Sequence, residues 1–235
     1  MYMSVSDNLA VIRDRVRSAC VRAGREPSGV RLVGVTKTVP VERIREGVRA
    51  GIRILGENYV QEARAKIGTL AETDISWHLI GHLQSNKAKP AVELFDWIHT
   101  VDRVSLARAL DRQAQKLEKK ISVLIQVNVG DEESKSGVGP DGLFDLFGEL
   151  SHMDGLHVRG LMALPPYFED PERVRPYFRM LASLLQRIRD RSASPGDLTE
   201  LSMGMSHDFE EAVEEGATLI RIGTALFGSR PAPVS

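Results

Sequence analysis

The order of apolar runs and helical stretches predicts a closed (β/α)8 barrel, an α/β fold with its helices outside. Three observations carry this. Short apolar runs alternate strictly with amphipathic stretches from residue 30 to residue 228. Such alternation makes the strands parallel and places the helices on the outer face. Eight such units fit in the chain at a spacing of about 20 to 30 residues, the repeat of such barrels. The alternative is an open doubly wound sheet; no Gly-x-Gly-x-x-Gly follows the first strand, which counts against its dinucleotide-binding form.

The elements follow in order. Leu9, Ile12, Val16, Ala19 and Ala23 recur at helical spacing, so 4–24 reads as an extra N-terminal helix, stopped by Gly24 and Pro27. The first strand spans 30–37. Strands then read over 52–55, 75–80, 97–101, 121–129, 156–162, 200–203 and 218–222. Helices read over 41–50, 59–69, 86–94, 105–119, 141–152, 172–191 and 207–215. All of 1–235 is expected to be one domain: helix and linker over 1–29, barrel over 30–228, and a small, Pro-containing tail over 229–235.

Composition excludes several classes. A net charge of −1 with no basic stripe argues against a nucleic-acid surface. The single cysteine, Cys20, allows no internal disulfide and no multi-cysteine metal site, and His99, His152 and His157 lack metal-ligand spacing. No apolar run approaches a membrane span and the N-terminus has no signal-peptide core, so no membrane and a cytoplasmic location are expected.

In such barrels the chemistry lies at the C-terminal strand ends. That rule gathers Lys37, Asn58, His82, Met162, Ser202, Arg221, Gly223 and Thr224 onto one rim. Arg31-Leu32-Val33-Gly34-Val35-Thr36-Lys37 is a buried-strand pattern ending in a lysine. An amine with its stem in an apolar wall has a lowered pKa and is nucleophilic; the alternative is that Lys37 snorkels to solvent. Ser202-Met203-Gly204-Met205-Ser206 and Arg221-Ile222-Gly223-Thr224 suit a phosphate through glycine turns, hydroxyls and free amides. Alternatively, Ser206 is only a helix cap and Gly223 a turn residue. Asp208, in the first turn of the following helix, would repel an anion held close to it. A ligand carrying an aldehyde and a phosphate would span lysine and corner, and pyridoxal 5'-phosphate (PLP) has both.

The chain also resembles a known family, the pyridoxal phosphate homeostasis proteins. The resemblance rests on Val33–Lys37, Gly56-Glu57-Asn58-Tyr59-Val60-Gln61-Glu62, Trp77-His78-Leu79-Ile80-Gly81-His82-Leu83-Gln84-Ser85-Asn86-Lys87, Ser134-Lys135-Ser136-Gly137, Leu201–Ser206 and Arg221–Thr224, in one order over most of the chain. It implies a PLP-binding barrel similar to the alanine racemase N-terminal domain, with a covalent aldimine on Lys37. It implies phosphate contacts from Ser202, Ser206, Gly223 and Thr224 and a pyridine-nitrogen contact from Arg221. It raises the option that the loop over 130–137 is a lid. His82, variable among relatives, carries no catalytic weight.

Arginine only donates hydrogen bonds and keeps its proton, so Arg221 opposite the ring nitrogen would leave it unprotonated and a poor electron sink. Racemisation needs a base on each face of the substrate carbon. The racemases supply one from a second domain, and this chain ends seven residues after Gly228. The expectation is a PLP carrier or buffer with little or no turnover, which hands PLP to apo-enzymes and is a monomer. The alternatives are a small PLP-dependent amino-acid racemase, and a lysine Schiff-base barrel acting on a phosphosugar. Tyr59 is expected to pack, His78 to be a satisfied core histidine, and the 132–135 run to be a solvated loop.

Overall fold

A computed structural model describes residues 4–70, 74–130, 132 and 135–228. The tail over 229–235, and Asp131, Glu133 and Ser134 of the loop after the fifth strand, lie outside the described residues. Eight parallel strands close into a barrel in sequence order: β1 (Arg31–Val35), β2 (Ile54–Glu57), β3 (Ser76–Leu79), β4 (Trp97–Val101), β5 (Ile121–Val127), β6 (Leu156–Ala163), β7 (Glu200–Ser202) and β8 (Leu219–Ile222). The seam joins β1 to β8 in a parallel register that sets Val33 beside Arg221 and Gly34 beside Ile222. The outer layer is α1 (Val5–Arg22), α2 (Val41–Arg49), α3 (Val60–Thr69), α4 (Ala88–Leu94), α5 (Val104–Lys116), α6 (Leu143–Leu150), α7 (Arg175–Arg189), α8 (Phe209–Glu214) and the four-residue α9 (Thr224–Phe227). No described helix is long and apolar enough to cross a membrane.

Strand parity explains the two cores. Odd positions of β5, such as Val123, Ile125 and Val127, join the large cluster between strands and helices. Among the described residues, Val33, Leu124, Met162 and Leu219 form a small apolar cluster inside the barrel, with Ile54 and Trp97 packed against it. Buried polar side chains such as His78, His99, Gln126, Ser202 and Arg221 share that interior and need partners there.

The extra helix is anchored at both ends. Ser4 and Asp7 form a reciprocal capping box, and Val5, Leu9, Ile12, Val16, Ala19 and Cys20 make its buried stripe. On the exposed side Arg15 and Arg22 pair with Glu210 of α8. The Asn8 Nδ2 donates to the Leu226 carbonyl at 2.9 Å, capping α9.

Several boundaries differ from the sequence expectations, each for a local reason. β1 stops at Val35, so Lys37 lies two residues beyond the strand instead of ending it. The Thr36 amide still reaches the Gly56 carbonyl, but Val39 then bonds back to Thr36 and Thr38 turns the chain at φ 60°. β2 starts later than expected because Ile52 bonds back to Gly47 of α2 and packs in the outer core, which carries Glu57 into the strand. The helix expected over 172–191 begins as a 3-10 turn over Pro171–Val174. Asp208 precedes α8 instead of sitting in its first turn.

Candidate active site at the C-terminal rim

The turn that carries Lys37 is fixed from below by a buried charge cluster. Lys66, on α3, is 6% exposed and donates to the Thr36 carbonyl at 2.5 Å, Glu57 Oε1 at 2.7 Å and Glu62 Oε1 at 2.7 Å. The Thr36 hydroxyl donates to Glu57 Oε1 at 2.5 Å, and the Thr38 amide to Glu62 Oε1 at 2.6 Å. Burial pushes the Glu57 carboxyl above the usual carboxylate range, against the pull of Lys66 and Thr36. Lys37 itself is half-buried, and its amine makes no hydrogen bond or ion pair among the described residues. It stands 5.2 Å from the centroid of the Tyr59 ring. Tyr59 therefore does not pack in the core: it is 55% exposed and forms one wall beside the amine.

On the neighbouring strand β8, Arg221 points into the barrel and is 3% exposed. Its Nη1 donates to the Ser202 hydroxyl at 2.7 Å and its Nη2 to the Ala163 carbonyl at 2.9 Å. Burial lowers its pKa to about 10, so it remains a cation. Ser202 is wholly buried, and His99 Nδ1 lies 3.0 Å from its hydroxyl. Its side chain is thus engaged within the barrel. Met162, expected to end β6, is its penultimate residue and packs in the interior apolar cluster. His78 is a satisfied core histidine, between Ser76 at 3.1 Å and His99 at 2.8 Å.

The structure does bring Ser206, Gly223 and Thr224 to one corner. The Ser206 hydroxyl accepts from the Ala225 amide at 3.3 Å, tying the loop after β7 to α9. Gly223 turns the chain out of β8, and Thr224 is exposed. The Asp208 carboxylate accepts from the Met205 amide at 2.6 Å. Asn58 stands half-buried at the end of β2 with no side-chain hydrogen bond among the described residues. Gly81 lies against it so closely that a Cβ there would meet the Asn58 carbonyl oxygen at 2.3 Å. Beside them, a cavity of ≈ 360 Å³ is lined by Asn58, Tyr59, His82 and Lys87 among others.

Besides Lys66, both Gln126 and His99 had no role expected from the sequence. Gln126, an inward position of β5, donates from Nε2 to the Ser136 carbonyl at 2.9 Å, and its buried Oε1 has no partner. Ser136 also meets His82 Nδ1 at 3.2 Å, and Lys135 reaches the Pro165 carbonyl at 3.2 Å. The described part of the loop after β5 is thus clasped to β3, β5 and the segment after β6. His99 carried no spacing signature, yet it shares the inward face of β4 with Trp97, and that alternation is visible in the sequence.

Residues 8–231 match the family model of the alanine racemase N-terminal domain. A protein of Aquifex aeolicus named pyridoxal phosphate homeostasis protein is 46% identical over 229 residues, covering 97% of this chain and 99% of the relative. The chain belongs to the pyridoxal phosphate homeostasis protein family. The Escherichia coli K12 member of that family is 41% identical, with 96% of this chain and 97% of the relative covered. Among solved structures, PipY of Synechococcus elongatus, with PLP bound, matches at TM-score 0.82 and 40% identity, over 96% of this chain and all of that one. An unknown protein from Bifidobacterium adolescentis matches at TM-score 0.90 and 34% identity, over 94% of each chain. An alanine racemase of Clostridium difficile shares the fold at TM-score 0.72 with 16% identity, over 97% of this chain and 58% of that one.

Proposed function

We propose that this member of the family binds PLP at the C-terminal rim, with Lys37 as a reversible covalent anchor, and carries or buffers it for apo-enzymes with little or no turnover. One observation carries this reading. Among the described residues the Lys37 amine makes no hydrogen bond or ion pair, while Lys66, at the same corner, is held by three oxygens. An amine not tied up in an ion pair is the one free to attack an aldehyde.

The residues present fit the group. PLP supplies an aldehyde that condenses with a lysine amine and releases water, a ring, and a phosphate. Gly223, Thr224 and Ser206 would take the phosphate, with the Ser206–Ala225 bond holding the two halves of the corner together. The role expected of Ser202 passes to the buried bond it makes to Arg221. Arg221, with two of its donors already committed inside the barrel, would present the rest of its fork to the ring nitrogen. Asn58 and the Gln126 Oε1, each without a side-chain partner among the described residues, are polar groups that could meet the ligand. Met162 would contribute the apolar floor beneath it.

Borohydride reduction of PLP-loaded protein followed by peptide mapping tests the anchor. The pyridoxyl group is expected on Lys37 and is expected to vanish in Lys37→Ala. Loaded protein with an unmodified Lys37 refutes the reading. Loss of the α-deuteron from labelled amino acids, compared with free PLP, tests for turnover, and exchange above that background refutes the carrier reading.

A further inference from the structure

A continuous line of hydrogen bonds crosses the barrel interior. It runs from Arg221 Nη1 to Ser202 Oγ at 2.7 Å, to His99 Nδ1 at 3.0 Å, from His99 Nε2 to His78 Nδ1 at 2.8 Å, and from His78 Nε2 to Ser76 Oγ at 3.1 Å. It links the rim to a half-buried serine at the first position of β3, at the opposite mouth. Its two histidines are 0% and 1% exposed.

We propose that His78 and His99 are positioning residues for Arg221, acting through Ser202 as a one-way line in which both imidazoles carry a single proton, on Nε2. This rests on the reading that Arg221 faces the ring nitrogen of bound PLP.

The argument is a count of protons. A neutral imidazole donates from one nitrogen and accepts at the other. The contact between His99 Nε2 and His78 Nδ1 needs one donor and one acceptor, so the two rings share the same tautomer. If both carry Nδ1–H, His99 donates to Ser202, whose oxygen already accepts from Arg221. The Ser202 proton then has no acceptor among the described residues, in a side chain that is wholly buried. A buried hydroxyl without an acceptor is costly. If both carry Nε2–H, each proton is used. Arg221 donates to Ser202, Ser202 to His99, His99 to His78 and His78 to Ser76, which is half-buried and not wholly enclosed. Every donation in that line runs away from the guanidinium, and successive donors polarise one another in the same sense.

Neighbouring groups disfavour a second proton on either ring. Arg31 of β1 stacks 5.9 Å from the Trp97 ring, and Trp97 of β4 lies over His78 at 5.3 Å. Arg221 of β8 faces the other end. Burial, with Arg31 nearby, brings the His78 pKa to about 3; burial, with His78, Arg221 and Arg31 nearby, holds His99 well below its ordinary value. With the line in place Ser202 cannot rotate, and Arg221 is pinned at two points, Ser202 and the Ala163 carbonyl.

The test has two arms. In the first, ligand-free protein labelled with 15N-histidine is examined by long-range proton–nitrogen correlation, with resonances assigned through His78 and His99 variants. Both rings are expected as Nε2–H tautomers, unchanged from about pH 5.5 to 8.5, across the ordinary histidine range. An Nδ1–H tautomer, a mixed pair or protonation in that range overturns the proposal. In the second, His99→Gln preserves one acceptor and one donor, and His99→Leu preserves neither. His99→Gln is expected to keep the wild-type PLP Kd and the pH profile of the bound chromophore. His99→Leu is expected to bind PLP about tenfold more weakly or worse, the usual cost of loosening a hydrogen bond to a charged group, and to shift that pH profile. If His99→Leu does not fold, Ser202→Ala serves, which cuts the line and leaves both rings. A cut line with the wild-type Kd and profile overturns the proposal. Failure of the PLP reading looks different: no adduct forms on Lys37 in the wild type, while the tautomers are still read in the first arm.

Discussion

Lys37 and Lys66 stand at the same corner of the barrel and divide the work between them. Lys66 holds the Thr36 carbonyl, Glu57 and Glu62, and Lys37 holds nothing but a place beside a tyrosine ring. Replacing Lys66 with methionine strands a fully buried Glu57 and is expected to cost about 3–5 kcal/mol, as for other broken buried pairs, measured by urea unfolding. The pH dependence of that loss has a definite sign. Burial raises the Glu57 carboxyl in the folded state, so between its unfolded and its raised folded value the folded form holds a proton that the unfolded chain has lost. Such a group favours folding at low pH and loses that contribution as pH rises from the usual carboxylate value through the raised folded one. Without Lys66 the carboxyl rises further, and the deficit of Lys66→Met is expected to be smaller near pH 5 than near pH 8. Lys37→Ala breaks no bond and is expected to change stability by about 0.5 kcal/mol or less. The sequence marked Lys37 because a lysine closing an apolar run is conspicuous. It hid Lys66, whose burial follows from the later start of β2, and Gln126, whose inward direction depends on the parity of a strand apolar almost throughout.

At the scale of elements, the rim depends on close approaches that leave no room for a side chain. Gly81 lies against the Asn58 backbone where β2 and β3 end. Gly81→Ala is expected to force those ends apart, at about 1–3 kcal/mol by analogy with overpacked cores, and to weaken PLP binding with the adduct still on Lys37; calorimetric melting and titration measure both. The short α9 depends on a helix from the far end of the sequence. Asn8 caps it at the Leu226 carbonyl, and Arg43 reaches the Phe227 carbonyl at 3.2 Å. Asn8→Ala is expected to cost about 1 kcal/mol, one hydrogen bond, and to weaken inorganic phosphate binding at the corner in an equilibrium titration. The order and type of the elements were legible because the hydrophobic period switches between strand and helix along the chain. Their ends were not, because hydrogen bonds such as Ile52 to Gly47 and Val39 to Thr36 decide where a strand begins or stops.

Over the whole molecule, the polar interior makes the barrel sensitive to acid. His78 and His99 stay neutral when folded but take up protons near pH 6.5 when unfolded. Their contribution to stability is complete above that pH and lost as pH falls through it, toward about 3 for His78. Each depressed histidine steepens the loss by up to about 1.4 kcal/mol per pH unit. Urea midpoints measured between about pH 7 and 4.5 are expected to fall steeply in the wild type and less steeply in His78→Gln. The closure of the ring has its own consequence. Lys37 follows the first strand and Arg221 lies in the eighth, and only the β1–β8 seam makes them neighbours. On the proposed reading, a chain stalled after seven strands would hold the anchoring amine but neither the guanidinium nor the phosphate corner. Competence to take up PLP would then be a readout of finished assembly, and a ligand lying across the seam would act as a latch. At a free concentration of one hundred times Kd it would favour the closed ring by about 2.7 kcal/mol over any state with β8 detached, and amide exchange in β1 and β8 would slow together.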